Sequence, residues 1–113
     1  MLPKQYRLPG YCFPEVKAQG KIFHGQFFSL LVLARTEAAP PRFGQIISKK
    51  VHKLAVKRNQ VKRRLREAIR PFLKQLKPGF DGLILVKQAA IDVSVAELEK
   101  EIEKTFQKTG LIK

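Results

Sequence analysis

The sequence predicts an α+β fold, a small two-layer α/β sandwich with helices packed on one sheet. Three observations carry this. Residues 26–33 and 80–86 are apolar at nearly every position, as in strands covered on both sides. Two later stretches, starting near Leu54 and at Val95, repeat apolar residues every three to four positions, as helices with one buried stripe do. Finally, 113 residues with 44% apolar content suffice for one core and not for two, so residues 1–113 are expected to form a single domain.

The elements follow in chain order. Residues 1–12 hold two prolines and a glycine and are expected to form an irregular arm. Phe13 and Val16 sit at helical spacing before Gly20, which predicts a short helix over 13–19. Residues 26–33 predict a strand, and a short strand near Lys21-Ile22-Phe23 would precede it. Residues 35–41, with Pro40-Pro41 and Thr36-Glu37, predict a loop. Residues 42–48 predict a second strand, in which Gly44 suggests a bulge or close approach by another backbone. Strand, short loop and strand predict an antiparallel hairpin. Leu54, Val61, Leu65, Ala68/Ile69 and Phe72 define a long helix, kinked or stopped at Pro71 and ended by Pro78-Gly79. Residues 80–86 give a third strand. Ser94 with Glu97 three residues on predicts a capping box for a last helix, whose stripe Val95, Leu98, Ile102 and Phe106 ends at Gly110.

Charge narrows the function. Lysine and arginine total 23 against nine acids, a formal +14, so a polyanion is the expected partner. Ten of the 22 residues from Lys49 to Arg70 are basic, with Glu67 the single acid among them. Arg58, Lys62, Arg66 and Arg70 recur at i, i+4, i+8 and i+12 as one helix stripe, flanked by Asn59 and Arg63. Like charges at that spacing repel, which calls for compensation from outside the helix, and phosphates supply it. The lone cysteine, Cys12, excludes a disulfide scaffold and a cysteine-rich zinc site. No apolar run approaches the ~20 residues of a membrane helix, and the first residues lack a signal-peptide core, so a cytoplasmic protein is expected. Glu15, Glu37, Glu67 and Asp81 fall on different elements, and His24 and His52 are isolated, so no catalytic residue and no metal site are expected on this chain. Phe27 and Phe28 are expected in the core.

The segment Ser48-Lys49-Lys50, followed by Arg58-Asn59-Gln60-Val61-Lys62-Arg63-Arg64-Leu65-Arg66-Glu67, resembles the protein subunit of bacterial ribonuclease P. The spaced Arg-Asn, Lys-Arg and Arg-Glu pairs match that family's RNR motif. Arg7-Leu8, Phe13, Val16 and Gly20 look like its first helix, and Arg42-Phe43-Gly44 like its central strand. The resemblance implies a fold like the second domain of ribosomal protein S5, with a left-handed βαβ crossover carrying the RNR helix. It implies a partner, the catalytic RNA subunit, which with Mg2+ removes the 5′ leader of precursor tRNA while the protein binds that leader. It implies a cytoplasmic monomer in a 1:1 complex with RNA, away from membranes. Lys57, Arg58, Asn59, Lys62, Arg63 and Arg66 would face the RNA subunit; Phe13, Lys17, Lys49 and Lys50 would border the leader. The sequence departs from the family at Leu31 and Lys17, where aromatics are common, and at His52-Lys53-Leu54, where a glycine is. Two other classes fit the charge: a ribosomal-type structural RNA binder and an amphipathic membrane-surface protein. The second is discounted because the apolar helix face is needed for the core.

Overall fold

The computed structural model describes residues 2–36 and 39–112. Its elements are α1 (Phe13–Gln19), β1 (Lys21–His24), β2 (Phe28–Ala34), β3 (Arg42–Ile46), α2 (Ala55–Ile69), β4 (Phe80–Val86) and α3 (Val95–Thr109). The strands form one mixed sheet in the order β1-β2-β4-β3. β2 is antiparallel to both β1 and β4, whereas β3 runs parallel to β4.

The expected hairpin between the strands at 26–33 and 42–48 does not form. β4 lies between them, and β3 reaches it as a parallel neighbour through α2, the βαβ crossover. The hairpin that does form joins β1 to β2. Loop length misled here: a short connection permits pairing, but β2 finds a longer partner in β4, with seven residues in register against four in β1. Of the predicted loop 35–41, Glu37 and Ala38 lie outside the described residues.

Strand alternation divides the core between the two faces of the sheet. Phe28, Leu30, Phe43, Phe80, Ile84 and Val86 face α2 and α3, where Val61, Leu65, Ile69, Leu98, Ile102 and Phe106 close the main core. Phe106 packs on Phe43 and edge-on against Phe72, ring contacts each worth about 0.5–1.5 kcal/mol beyond their buried area. The opposite face holds a smaller cluster of Leu31 and Leu83 beneath Val16 of α1. Thus α1 adds a short cover to the far side of the two-layer body, which is why β2 and β4 are apolar throughout.

The helix ends follow local chemistry. Ser94 Oγ accepts from Glu97 N at 3.2 Å, and Gly110 closes α3 at φ 78°, a left-handed conformation that suits glycine. α2 stops at Ile69 and passes into a 3-10 turn at Pro71. Leu54 is not part of the buried stripe: it precedes the helix in extended conformation and is 53% exposed. The arm is ordered by two buried leucines, Leu2 and Leu8. Arg7 and Leu8 stand ahead of α1, not within it; Arg7 bridges to Phe43 at the edge of β3.

Candidate RNA interface

The basic run on α2 is not uniform, and its geometry sorts it. Val61, Leu65, Ala68 and Ile69 point into the core. One border of this apolar arc carries Lys62 and Arg66, half-buried against β3, where Gln45 Nε2 donates to the Lys62 carbonyl. The other border carries Lys57, whose Nζ lies 3.0 Å from Asp92 Oδ1. That hydrogen bond and charge hold the Asp92 carboxyl below its ordinary range. Asn59 and Arg63, opposite the arc, are the exposed crest. The predicted stripe is therefore a flank, and the residues expected to flank it stand outermost, because the stripe lies next to the core-facing arc.

Partners separate the cations further. Arg58 Nη1 donates to the carbonyls of His52 (2.8 Å) and Lys53 (3.0 Å), tying the preceding loop to the first turn of α2. His52 Nδ1 accepts from Leu54 N in the same loop. Arg70 pairs with Glu67. Among the described residues, Asn59, Lys62, Arg63 and Arg66 have no side-chain partner, and Arg66 Nε is buried without one. Four members of the motif are thus uncommitted, while Arg58 and Lys57 are engaged within the protein. Arg58→Ala is expected to lower stability by about 1–2 kcal/mol, as loss of a helix-start contact does. Arg63→Ala should stay within ~0.5 kcal/mol. Urea denaturation of both variants checks the contrast, and equal midpoints would contradict it.

Of the residues expected at the leader, Phe13 lies on the other face of the sheet. Cross-strand register aligns three rows there: His24–Ser29–Leu85–Ile46, then Ile22–Leu31–Leu83–Gly44, then Leu33–Asp81–Arg42. α1 covers the middle row. A Cβ at Gly44 would overlap the Phe13 ring, so glycine is required for Phe13 to lie there; the close approach is by a ring, not by a backbone. Cys12 and Glu15 border a cavity over the third row, near Arg35, Arg42 and Asp81. Phe13 and Lys17, one turn apart, lie on the other flank of α1, toward the first row.

That first row is only partly covered, with Ser29 buried in it. Leu85 and Ile46 are only partly buried, His24 is exposed, and its Nδ1 sits 3.1 Å from Ser29 Oγ. Lys49 and Lys50 are exposed in the turn that follows β3. Phe13 and Lys17 therefore border one strip with an apolar floor, whereas Lys49 and Lys50 line a separate cavity with Val51, His52, Lys53 and Gln88. Ile46, Leu85, Ser29 and His24 belong to it too and were not singled out in the sequence, because strand register, not spacing, brings them together. Phe28 is buried and Phe27 packs partly against the core, as expected.

On the third row Asp81 is 4% exposed. Arg42 grips it through two hydrogen bonds of 2.9 Å, and Arg35 Nε lies 3.3 Å away. The Asp81 hydrogen bond holds Arg42 protonated beyond its already high range. Among the described residues Asp81 is the one buried carboxylate, and no three His, Cys, Asp or Glu side chains converge. No helix among them is long and apolar enough to cross a membrane.

Comparison with known proteins gives the family. Residues 2–110 match the family model for Ribonuclease P. The ribonuclease P protein component of Synechocystis sp. is 38% identical over 112 residues, 98% of this chain and 90% of that one. That of Symbiobacterium thermophilum is 35% identical over 112 residues, 98% of this chain and 96% of that one. The fold matches the crystallised ribonuclease P protein of Staphylococcus aureus with a TM-score of 0.84 at 22% identity, covering 97% of this chain and 100% of the other. The Thermotoga maritima protein matches with a TM-score of 0.79 at 20% identity, covering 90% and 96%. These matches set aside the ribosomal-type alternative: the chain belongs to the ribonuclease P protein family.

Proposed function

We propose that this chain, as a ribonuclease P protein, works through two separate surfaces: the α2 crest and flank hold the RNA subunit, and the strip beside α1 holds the 5′ leader of precursor tRNA. The observation that carries this reading is the division itself. Uncommitted Asn59, Lys62, Arg63 and Arg66 lie on a helix covering one face of the sheet, while Phe13 and Lys17 border a strip on the other. The first surface is a row of point charges and fork-shaped donors, which suits the regularly spaced phosphates of folded RNA. The second pairs an aromatic wall and apolar floor with a lysine, which suits unpaired nucleotides.

The cleavage itself belongs to the RNA subunit in this proposal, and with it the Mg2+ ions. The only buried carboxylate among the described residues is closed between two arginines, and none of the others gathers into a set of three ligands. The protein's part is to bind, orient and hold the leader so that the scissile phosphate meets the RNA-borne site, as one protein per RNA subunit.

The test measures affinity for an RNA subunit transcribed in vitro, over a salt series. Arg63→Ala and Arg66→Ala are each expected to weaken binding and to flatten the salt slope by about one unit per lost phosphate contact. Wild-type affinity and slope in both variants would remove α2 from the RNA interface.

A further inference from the structure

The cavity over the third row of the sheet differs in charge from the surfaces described above. It measures about 330 Å³ and takes in Arg35, Arg42 and Asp81 at the sheet and Glu15 from α1; neither Phe13 nor Lys17 lines it. The sheet side carries one cation in excess, because two arginines share the single carboxylate of Asp81. Arg42 spends Nε and Nη2 on that carboxylate, which leaves its Nη1 as a donor. Arg35 Nε is buried 3.3 Å from Asp81 Oδ1 and makes no hydrogen bond. Among the described residues the Glu15 carboxylate and the Thr36 hydroxyl have no partner either. Tyr11, next to Cys12 of the cavity wall, is 84% exposed. The hydrogen bond to Asp81 does most to hold Arg42 protonated, and Cys12 and Tyr11 add to it, so the Tyr11 phenol stands near the same guanidinium.

These groups select a ligand. The lining charges are two positive and two negative, and a phosphate drawn to the arginines would meet Glu15. An uncharged planar group with acceptors on one edge and N–H donors on another satisfies both sides. Guanine has that pattern among the nucleobases. Its O6 and N7 accept, while N1–H and the N2 amino group lie side by side, where both oxygens of one carboxylate can take them. We propose that this cavity is a guanine-base site, with Glu15 holding the donor edge, Arg42 Nη1 donating to an acceptor and Tyr11 stacking at the mouth. The site stands apart from the two surfaces assigned above and does not depend on either.

Amide NMR shifts of the full-length protein read the site at Cys12, Glu15, Ala34 and Thr36 while GMP, IMP, AMP or UMP is added. All four carry the same phosphate, so the attraction of a +14 chain for any nucleotide cancels in the comparison. GMP is expected to bind roughly tenfold tighter than AMP or UMP, as one bidentate pair discriminates. IMP, which lacks the N2 amino group, should fall between them. Glu15→Gln should remove most of the GMP preference. Tyr11→Ala should weaken GMP by roughly tenfold, and Tyr11→Phe should restore it. Both residues are exposed, so thermal melts of the variants should match the wild type. Short uridine strands carrying one guanosine separate two sources of the base. Shifts at the same amides would assign the site to a base within a strand, and shifts with GMP alone to a free nucleotide. Silence at those amides, equal affinity for GMP, AMP and UMP, or a GMP preference that survives Glu15→Gln would each overturn the guanine site. Wild-type GMP affinity in Tyr11→Ala would overturn the stacking role.

Discussion

Asp81→Ala is expected to destabilise the fold by about 3–5 kcal/mol, because it leaves two arginines largely buried without their counter-charge. Arg35 and Arg42 side chains are only 12% and 25% exposed, so neither can turn fully into water without disturbing the sheet. Register places Arg42 directly opposite Asp81 across the parallel pair, and Arg35 leaves β2 one residue beyond its end. Arg35 Nη2 also holds the carbonyl of Pro40 at 2.6 Å, so the same cluster ties the loop between β2 and β3 to the sheet. Removing the carboxylate should therefore loosen three strands at one end. Urea unfolding reads the effect, and a loss below 1 kcal/mol would show that the cluster is not a stabilising centre. Replacing all three residues with apolar ones of similar volume should cost far less, since a buried ion pair and a packed apolar cluster are nearly equal in net stability.

Phe13→Ala is expected to weaken binding of precursor tRNA with a long leader by ~1–3 kcal/mol, the range for one lost base–aromatic contact. Phe13 lies over Gly44 with its flank toward the strip, so some packing is lost as well. Leader length separates the two effects. A stacking loss shrinks as the leader is shortened and vanishes with mature tRNA, whereas a packing loss affects every RNA equally. Affinity for the RNA subunit should stay at the wild-type level, because α2 lies across the sheet from Phe13. An equal deficit at all leader lengths would assign Phe13 to packing and empty the strip of its role. Lys17 and Leu31 sharpen the expectation. With no aromatic at either position, Phe13 is the one ring on its flank of α1, and Leu31 is covered by that helix.

Much of this protein is written in local sequence. Phe13–Gln19, Phe80–Val86 and Val95–Thr109 form as their periodicity, proline, glycine and capping residues dictate, because those signals act over a few residues. The charge run and its helical spacing likewise call for a polyanionic partner without any tertiary knowledge, and the motif within it points to the family. Pairing of strands was not legible. β3 prefers β4 to β2, a choice made by α2 carrying the chain across the sheet and by seven matched positions between β2 and β4. Nor could spacing tell which cations are spoken for. Arg58 and Lys57 look like Lys62 and Arg63 in the sequence, yet His52, Lys53 and Asp92 claim the first two. The strip beside α1 depends on strand register across the sheet. Composition and periodicity determine which segments are helix or strand and what kind of partner the charge demands, since both arise from neighbours along the chain. Long-range packing alone decides which side chains meet and which stay uncommitted, since that depends on residues tens of positions apart.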